Sequence, residues 1–451
     1  MGRLQPLALA IAAVAALSAP GAAARAPASE EAVIVVRDGA GDQRAGELLA
    51  GAADAAGLDL VREVPEIGVG SVDLPAGQSL GDLRDRLGGV PGVIAVEPNA
   101  RLEPRALPND PAFRASDPNA PEGDTYQWHL RKEGFTGAWR RSDGARATVA
   151  VIDTGADQDH PDIRPSVDAA FDMDDTLLHS GPEVDENGHG THVSGLACGH
   201  SGDGFGVASA GYRCGLLVYK TDLTISSISD SIVAATDRGA DVINMSFGGD
   251  ESSQALHAAV ERAARHDVVM VAAADNDDVD ENGDPTESQG IPADYLQPVG
   301  SGPKPKRGIG LVVTAAEYDG SRAWFGPGRG TGISLAAYGS AGAGGRGIFS
   351  TFPGRLSELE TLEVCGCRGD LAGDPRFAYL EGTSMATPQV AGAAALMRSA
   401  RPKAPAAKVI TVLKRTATNR KLGFTPDLGW GIVNANRAVR AVLAKGKKKR
   451  R

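Results

Sequence analysis

The sequence predicts a large α/β domain built on a mostly parallel sheet covered by helices, preceded by a small α+β module. Three observations carry this prediction. Five short apolar runs, Thr148–Ile152, Gly215–Tyr219, Val242–Met245, Val268–Ala274 and Gly310–Thr314, are unbroken rather than alternating, as in strands buried on both faces. Helical patterns such as Ile225–Arg238 and Leu256–Arg265 lie between them, where a parallel sheet needs its crossovers. Ahead of this, residues 31–97 follow a β-α-β-β-α-β-like order that makes a compact two-layer unit.

In chain order, residues 1–24 come first. They carry Arg3, an apolar run from Leu7 to Leu17 and then Ala22-Ala23-Ala24, the three parts of a signal peptide. The run is too short to span a bilayer permanently and no longer one follows, so an exported chain without a stable transmembrane anchor is expected. In the small module, Glu31–Arg37 reads as a strand, Ala45–Ala55 as a helix and Gly68–Leu74 as an alternating strand. Leu80–Leu87 follows as a second helix and Val93–Glu97 as a closing strand. Polar, Pro-rich sequence from Pro98 to Pro121 reads as a linker. The boundaries are 1–24 for the signal peptide, 25–107 for the small module and its linker, 108–442 for the large domain and 443–451 for a basic tail. That layout suits an exported pro-form, and equally a binding module on a tether.

Composition narrows the function. The chain has 451 residues, 42% hydrophobic and 23% charged, which is globular rather than disordered. A net charge of -11 disfavours a nucleic-acid partner, and the only dense basic run, Lys445–Arg451, reads as a solvated tail. Cys198, Cys214, Cys365 and Cys367 fit an oxidising compartment. Cys198 with Cys214 would close a short loop. The one-residue spacing of Cys365 and Cys367 leaves a strained ring or two free thiols open.

Three residues can carry chemistry together. Asp153 ends the run Val149-Ala150-Val151-Ile152, and a carboxylate at a buried strand end needs a hydrogen-bonding partner. His189 lies in Asn187-Gly188-His189-Gly190-Thr191-His192, ahead of a helix of small residues; its spacing to His192 has no further ligand to make a metal site. Ser384 lies in Gly382-Thr383-Ser384-Met385, ahead of an Ala-rich helix over Ala391–Met397. Taken singly, Asp153 is a turn former and Ser384 a helix cap. Together they supply a nucleophile, a base of near-neutral pKa and a carboxylate to orient it. Their order, Asp then His then Ser, and the absence of a Gly-x-Ser-x-Gly elbow around Ser384 argue against an α/β-hydrolase.

These stretches resemble the subtilisin-like serine peptidases, or subtilases, over about Tyr126–Val442. The resemblance rests on V-A-V-I-D-T-G at 149–155, N-G-H-G-T-H-V-S-G at 187–195 and G-T-S-M-A-T-P at 382–388. V-I-N-M-S-F-G-G at 242–249 and G-W-G-I-V-N-A at 429–435 support it. It implies a serine endopeptidase in which Asp153 orients His189, His189 is the base and Ser384 attacks the scissile carbonyl. A dedicated maturation protease, or a non-catalytic peptide binder on the same scaffold, is the competing reading. Asn276 matches the family's oxyanion donor, although Asp275 stands where the family usually has Gly. Ser246, Phe247 and Gly248 match the segment that pairs with substrate, Phe247 walling an apolar pocket. By the same resemblance the small module is an inhibitory propeptide and folding aid, cut near Arg105–Asn109. Structural calcium is implied, with Asp162 as a ligand and the acidic loop Asp277–Asp284 as a second candidate; no organic cofactor is implied. The partners expected are a protein or peptide substrate and the chain's own propeptide, the enzyme itself being a monomer. Leu356–Asp374 reads as an insertion just before the nucleophile, either bordering the active site or decorating the surface.

Overall fold

A computed structural model describes residues 31–37, 42–75, 77–99, 107–173, 180–276, 290–326, 330–343, 345–361, 365–419 and 423–444. The signal peptide, the loop Asp277–Asp284 and Lys445–Arg451 lie outside the described residues. The chain divides into two units, Met1–Pro104 and Arg105–Arg451.

In the first unit four antiparallel strands lie in the order Leu60–Val64, Val69–Asp73, Glu31–Val36, Val93–Pro98. The helices Asp42–Ala56 and Leu80–Leu87 cover one face. Alternation in Glu31–Val36 turns Ala32, Ile34 and Val36 onto Leu49, Leu83 and Leu87. Ser79 and Asp82 close a reciprocal cap at the start of the second helix, with bonds of 3.2 and 2.9 Å. The strand Leu60–Val64 was not expected; four of its five residues are exposed, so it lacks the apolar alternation that marked the others.

The second unit is built on seven parallel strands in the order Leu335–Tyr338, Gly310–Ala316, Val269–Ala273, Val242–Met245, Thr148–Asp153, Gly215–Lys220, Val167–Asp172. The five expected strands are its centre. Both faces are covered, as the unbroken apolar runs require: Val149 and Val151 point into one core, Ala150 and Ile152 into the other. Ile225–Asp237 and Gln254–Arg265 cover one face. On the other lie His189–Cys198 and the 18-residue helix Thr383–Ala400, which begins well before the expected Ala391. Small residues let this last helix run through the interior: a Cβ on Gly392 would come within 2.5 Å of Ala210 Cβ. The order of strands reverses around Thr148–Asp153, so the crevice beyond its carboxyl end is where a site belongs.

Beside this sheet, Ile348–Thr351, Asp374–Leu380 and Arg368–Leu371 form a three-stranded antiparallel sheet with Asp374–Leu380 in the middle. The insertion thus contains structure of its own, including a short helix, Glu358–Thr361. Cys198 is bonded to Cys214 as favoured, and Cys365 to Cys367, which closes the alternative of two free thiols. Among the described residues no helix is long and apolar enough to cross a membrane.

Candidate active site

Asp153 is the last residue of the central strand and is 2% exposed at its side chain. Its Oδ1 accepts the Thr154 backbone N–H at 2.8 Å and lies 2.7 Å from His189 Nδ1. Its buried partner is therefore the histidine expected of it. Nδ1 is committed to the carboxylate, which leaves Nε2 as the nitrogen for proton transfer.

His189 opens the helix His189–Cys198, and the turn before it is held by a residue the motifs did not single out. Asp185 is fully buried and accepts five hydrogen bonds, from the Thr154 hydroxyl, the Asn187 and Gly188 N–H groups and both donors of Thr191, at 2.7–3.2 Å. Burial pushes its carboxyl above the ordinary range, against the pull of those bonds. Thr154 accepts the Gly190 N–H at 2.9 Å, so the stretches around Asp153 and His189 are sewn together. A Cβ on Gly190 would stand 2.1 Å from Gly155 O, which is why glycine follows the histidine. The signal for Asp185 was its place in an Asp-x-Asn-Gly turn, a position where a side chain caps backbone donors.

His192, the other histidine of the motif, is core. Its Nε2 lies 3.0 Å from Ile348 O and 3.2 Å from Ala378 O, and burial pushes its pKa down to about 3.

Ser384 is the second residue of the long helix, and its hydroxyl donates to Ser246 O at 2.9 Å. Ser246 Oγ donates in turn to Ser384 O at 3.0 Å, which fixes Ser246-Phe247-Gly248 alongside Ser384. Next to Phe247 an apolar pocket of about 180 Å³ is lined by Leu223, Ile228, Leu256 and Ile291, with Asp250 and Glu251 also on its wall.

Asn276 sits across from the helix start. Its Oδ1 accepts the Thr383 N–H at 2.9 Å and the Thr383 hydroxyl at 3.0 Å. With the oxygen held there, the amide nitrogen and the Ser384 N each lie 3.6 Å from where a Cβ on Gly382 would stand. The amide nitrogen and the orphan N–H of the helix start can both donate to an oxyanion. Asp275 adopts φ +27°, which accounts for the glycine usual there; its carboxylate accepts the Asn276 N–H at 2.6 Å and braces the turn.

Away from this cleft, Asp162 is fully buried. Its Oδ2 accepts the Val207 N–H at 2.9 Å, while Oδ1 has no hydrogen-bond partner. Asp110, equally buried, accepts the Gly202 N–H at 2.8 and 3.0 Å. Burial pushes Asp162 up to about 8 and Asp110 up to about 6, values that a bound cation would reverse. No cluster of three His, Cys, Asp or Glu side chains set for a metal occurs among the described residues. The buried, unpartnered Oδ1 of Asp162 is of the donor type a hard cation takes.

Residues 144–431 match the profile of the subtilase family. The chain belongs to the subtilases. Subtilisin from Bacillus pumilus is 34% identical to this subtilase over 315 residues, covering 69% of this chain and 94% of that protein. Subtilisin DY from Bacillus licheniformis is 33% identical over 300 residues, covering 66% and 92%. Fervidolysin from Fervidobacterium pennivorans is 29% identical over 444 residues and covers 89% of this chain, which itself spans 59% of fervidolysin. Among solved structures, proteases from Pseudoalteromonas arctica PAMC 21717 superpose with a TM-score of 0.57 at 26% identity, over 75% of this subtilase and 100% of that chain. With the family come the parallel α/β fold described above and serine-endopeptidase chemistry run by a Ser, His and Asp triad.

Proposed function

We propose that this subtilase is an exported serine endopeptidase with Asp153, His189 and Ser384 as its triad. The observation that carries the reading is the 2.7 Å contact of His189 Nδ1 with the buried Asp153 carboxylate, in a chain whose Ser384 begins the central helix. Ser384 Oγ leaves Ser246 O and attacks the scissile carbonyl as His189 Nε2 takes its proton. Asp153 holds the imidazole in the required tautomer and stabilises its charged form. The carbonyl oxygen gains negative charge between Asn276 Nδ2 and the Ser384 N–H. His189 then gives its proton to the leaving amine, and water, activated by the same nitrogen, hydrolyses the acyl ester.

The acyl side of the peptide adds to Ser246-Phe247-Gly248 as an extra strand. The apolar pocket beside Phe247 favours bulky apolar side chains there, and the carboxylates of Asp250 and Glu251 disfavour acidic ones. Residues 1–24 direct export. The first unit has its own sheet and core and serves as the inhibitory propeptide and folding aid. Asp162, whose buried Oδ1 has no hydrogen-bond partner, would be a ligand of a structural calcium ion.

The test is hydrolysis of a protein substrate by wild type and by Ser384→Ala, with and without a serine-directed inhibitor. Activity confined to the uninhibited wild type is expected. Equal activity in both proteins removes the reading.

A further inference from the structure

The insertion ahead of the nucleophile is tied to both halves of the site. Leu359, Cys365 and Cys367 of the insertion pack with Phe352, Ala378 and Leu380 of the flanking strands and loop in one small core. Leu380 lies four residues before Ser384, on the strand that leads into the long helix. Arg368 knits the insertion together: it donates to the carbonyls of Pro353, Arg355 and Pro375 at 2.8–2.9 Å and pairs with Glu360, its Nε lying 2.6 Å from Oε1. The Cys365–Cys367 disulfide closes its far end on itself, and the 2.8 Å bond from Tyr379 N to Cys367 O fastens that end to the same strand.

The opposite edge of the insertion lies on the turn that presents His189. Glu358 N donates to Glu186 O at 2.9 Å, and Leu359 N to Asn187 O at 3.4 Å. The Glu358 carboxylate accepts from Asn187 Nδ2 at 3.3 Å, and Asn187 Oδ1 accepts the His189 N–H at 3.2 Å. Gly188, at φ +100°, lies against Phe352: a Cβ there would stand 2.6 Å from the ring. The carboxamide of Asn187 is therefore a link with one end on the catalytic helix and the other on the insertion.

We propose that the insertion is a positioning element for the general base, and that Glu358 is its positioning residue, acting on His189 through Asn187. This rests on the reading of His189 as the base. Glu358 touches neither substrate nor reacting atoms; it restricts the turn so that the imidazole keeps its contact with Asp153. Loosening the turn weakens that contact, which slows proton transfer and lowers the proton affinity of the imidazole.

Two substitutions separate contact from charge. Glu358→Gln keeps an oxygen to accept from Asn187 and loses the charge; Glu358→Asp keeps the charge and withdraws the acceptor by one methylene. Each full-length enzyme is titrated with an irreversible serine-directed inhibitor, so that rates refer to folded, competent molecules. Glu358→Asp should lose about three- to ten-fold in kcat, with KM within about two-fold of wild type and the acid limb of kcat/KM moved to lower pH. Glu358→Gln should match wild type in all three. A normal Glu358→Asp, whether or not Glu358→Gln is impaired, overturns the proposal. Failure of the triad reading is distinct: it would appear as a Ser384→Ala enzyme hydrolysing peptides at the wild-type rate.

Discussion

Replacing Asn276 by aspartate separates the two tasks of that side chain. Its oxygen accepts from the Thr383 N–H at 2.9 Å and from the Thr383 hydroxyl at 3.0 Å, and under the proposed mechanism its nitrogen donates to the oxyanion. A carboxylate has the same outline and keeps both accepting bonds, so the local structure survives. It has no N–H to give, however, and it adds a negative charge where another develops. Loss of an oxyanion donor in subtilisin costs about 10²–10³ in kcat, or about 2.7–4 kcal/mol. The added charge repels the oxyanion as well; Asn276 is exposed, so at about 4 Å the repulsion lies between about 1 kcal/mol in bulk water and about 4 kcal/mol near a protein surface. Taking the lower figure, a further factor of about five, Asn276→Asp should lose about 5×10²–5×10³ in kcat and Asn276→Ala about 10²–10³, with KM within about two-fold in both. The assay is hydrolysis of a chromogenic peptide at pH 8, about where histidine bases are neutral, normalised by active-site titration. Thermal unfolding of the same changes in a Ser384→Ala background should leave Asn276→Asp near its parent and Asn276→Ala below it. Higher turnover by Asn276→Asp than by Asn276→Ala would refute the donor role.

Two further outcomes follow from buried charge. Chelation should lower the unfolding midpoint of wild type, the loss being about 2.7 kcal/mol where calcium had stood at a hundredfold excess over its Kd. Asp162→Asn should start from the lower midpoint and cease to respond to the chelator, and an equal response would exclude Asp162 as a ligand. At Glu186, partial burial raises the carboxyl, but bonds from Lys220 and Ser180 outweigh it and hold the pKa at about 2. A folded pKa below the unfolded value of about 4.3 means stabilisation that is complete above that pH and fades as pH falls towards 2. In a Ser384→Ala background the gap in stability between Glu186 and Glu186→Gln proteins should therefore be widest at neutral pH and close over that window; a gap independent of pH would contradict it.

The parts of the fold legible in the sequence are those where burial leaves a pattern. Thr148–Asp153 and Val269–Ala273 are apolar along their whole length because helices cover both faces, and a run of that kind reads directly. Val167–Asp172 and Leu60–Val64 lie at sheet edges, the first partly and the second largely exposed, and their mixed composition is that of a loop. Within the site, Asp153, His189 and Ser384 stand in stretches whose glycines and small residues are forced by close backbone approach, as at Gly190 against Gly155. Asp275 read as a departure from the family; only its positive φ shows what the usual glycine is for. Glu358 could not be read at all. Its partner Asn187 is 171 positions away, and a contact between two surface-compatible polar side chains leaves no periodicity in either stretch.

The long helix bears on when hydrolytic power arises as well as on where. Asp153 and His189 belong to the first half of the large unit, whereas Thr383–Ala400 enters late in the chain and then occupies the middle of the interior. In a chain made amino end first, Asp153 and His189 exist before Ser384, and the large core stays open until the helix and the segments after it pack. Contacts that span so much sequence form slowly. The grouping of Asp153, His189 and Ser384 is therefore completed only once the carboxyl-terminal part of the chain has joined the fold.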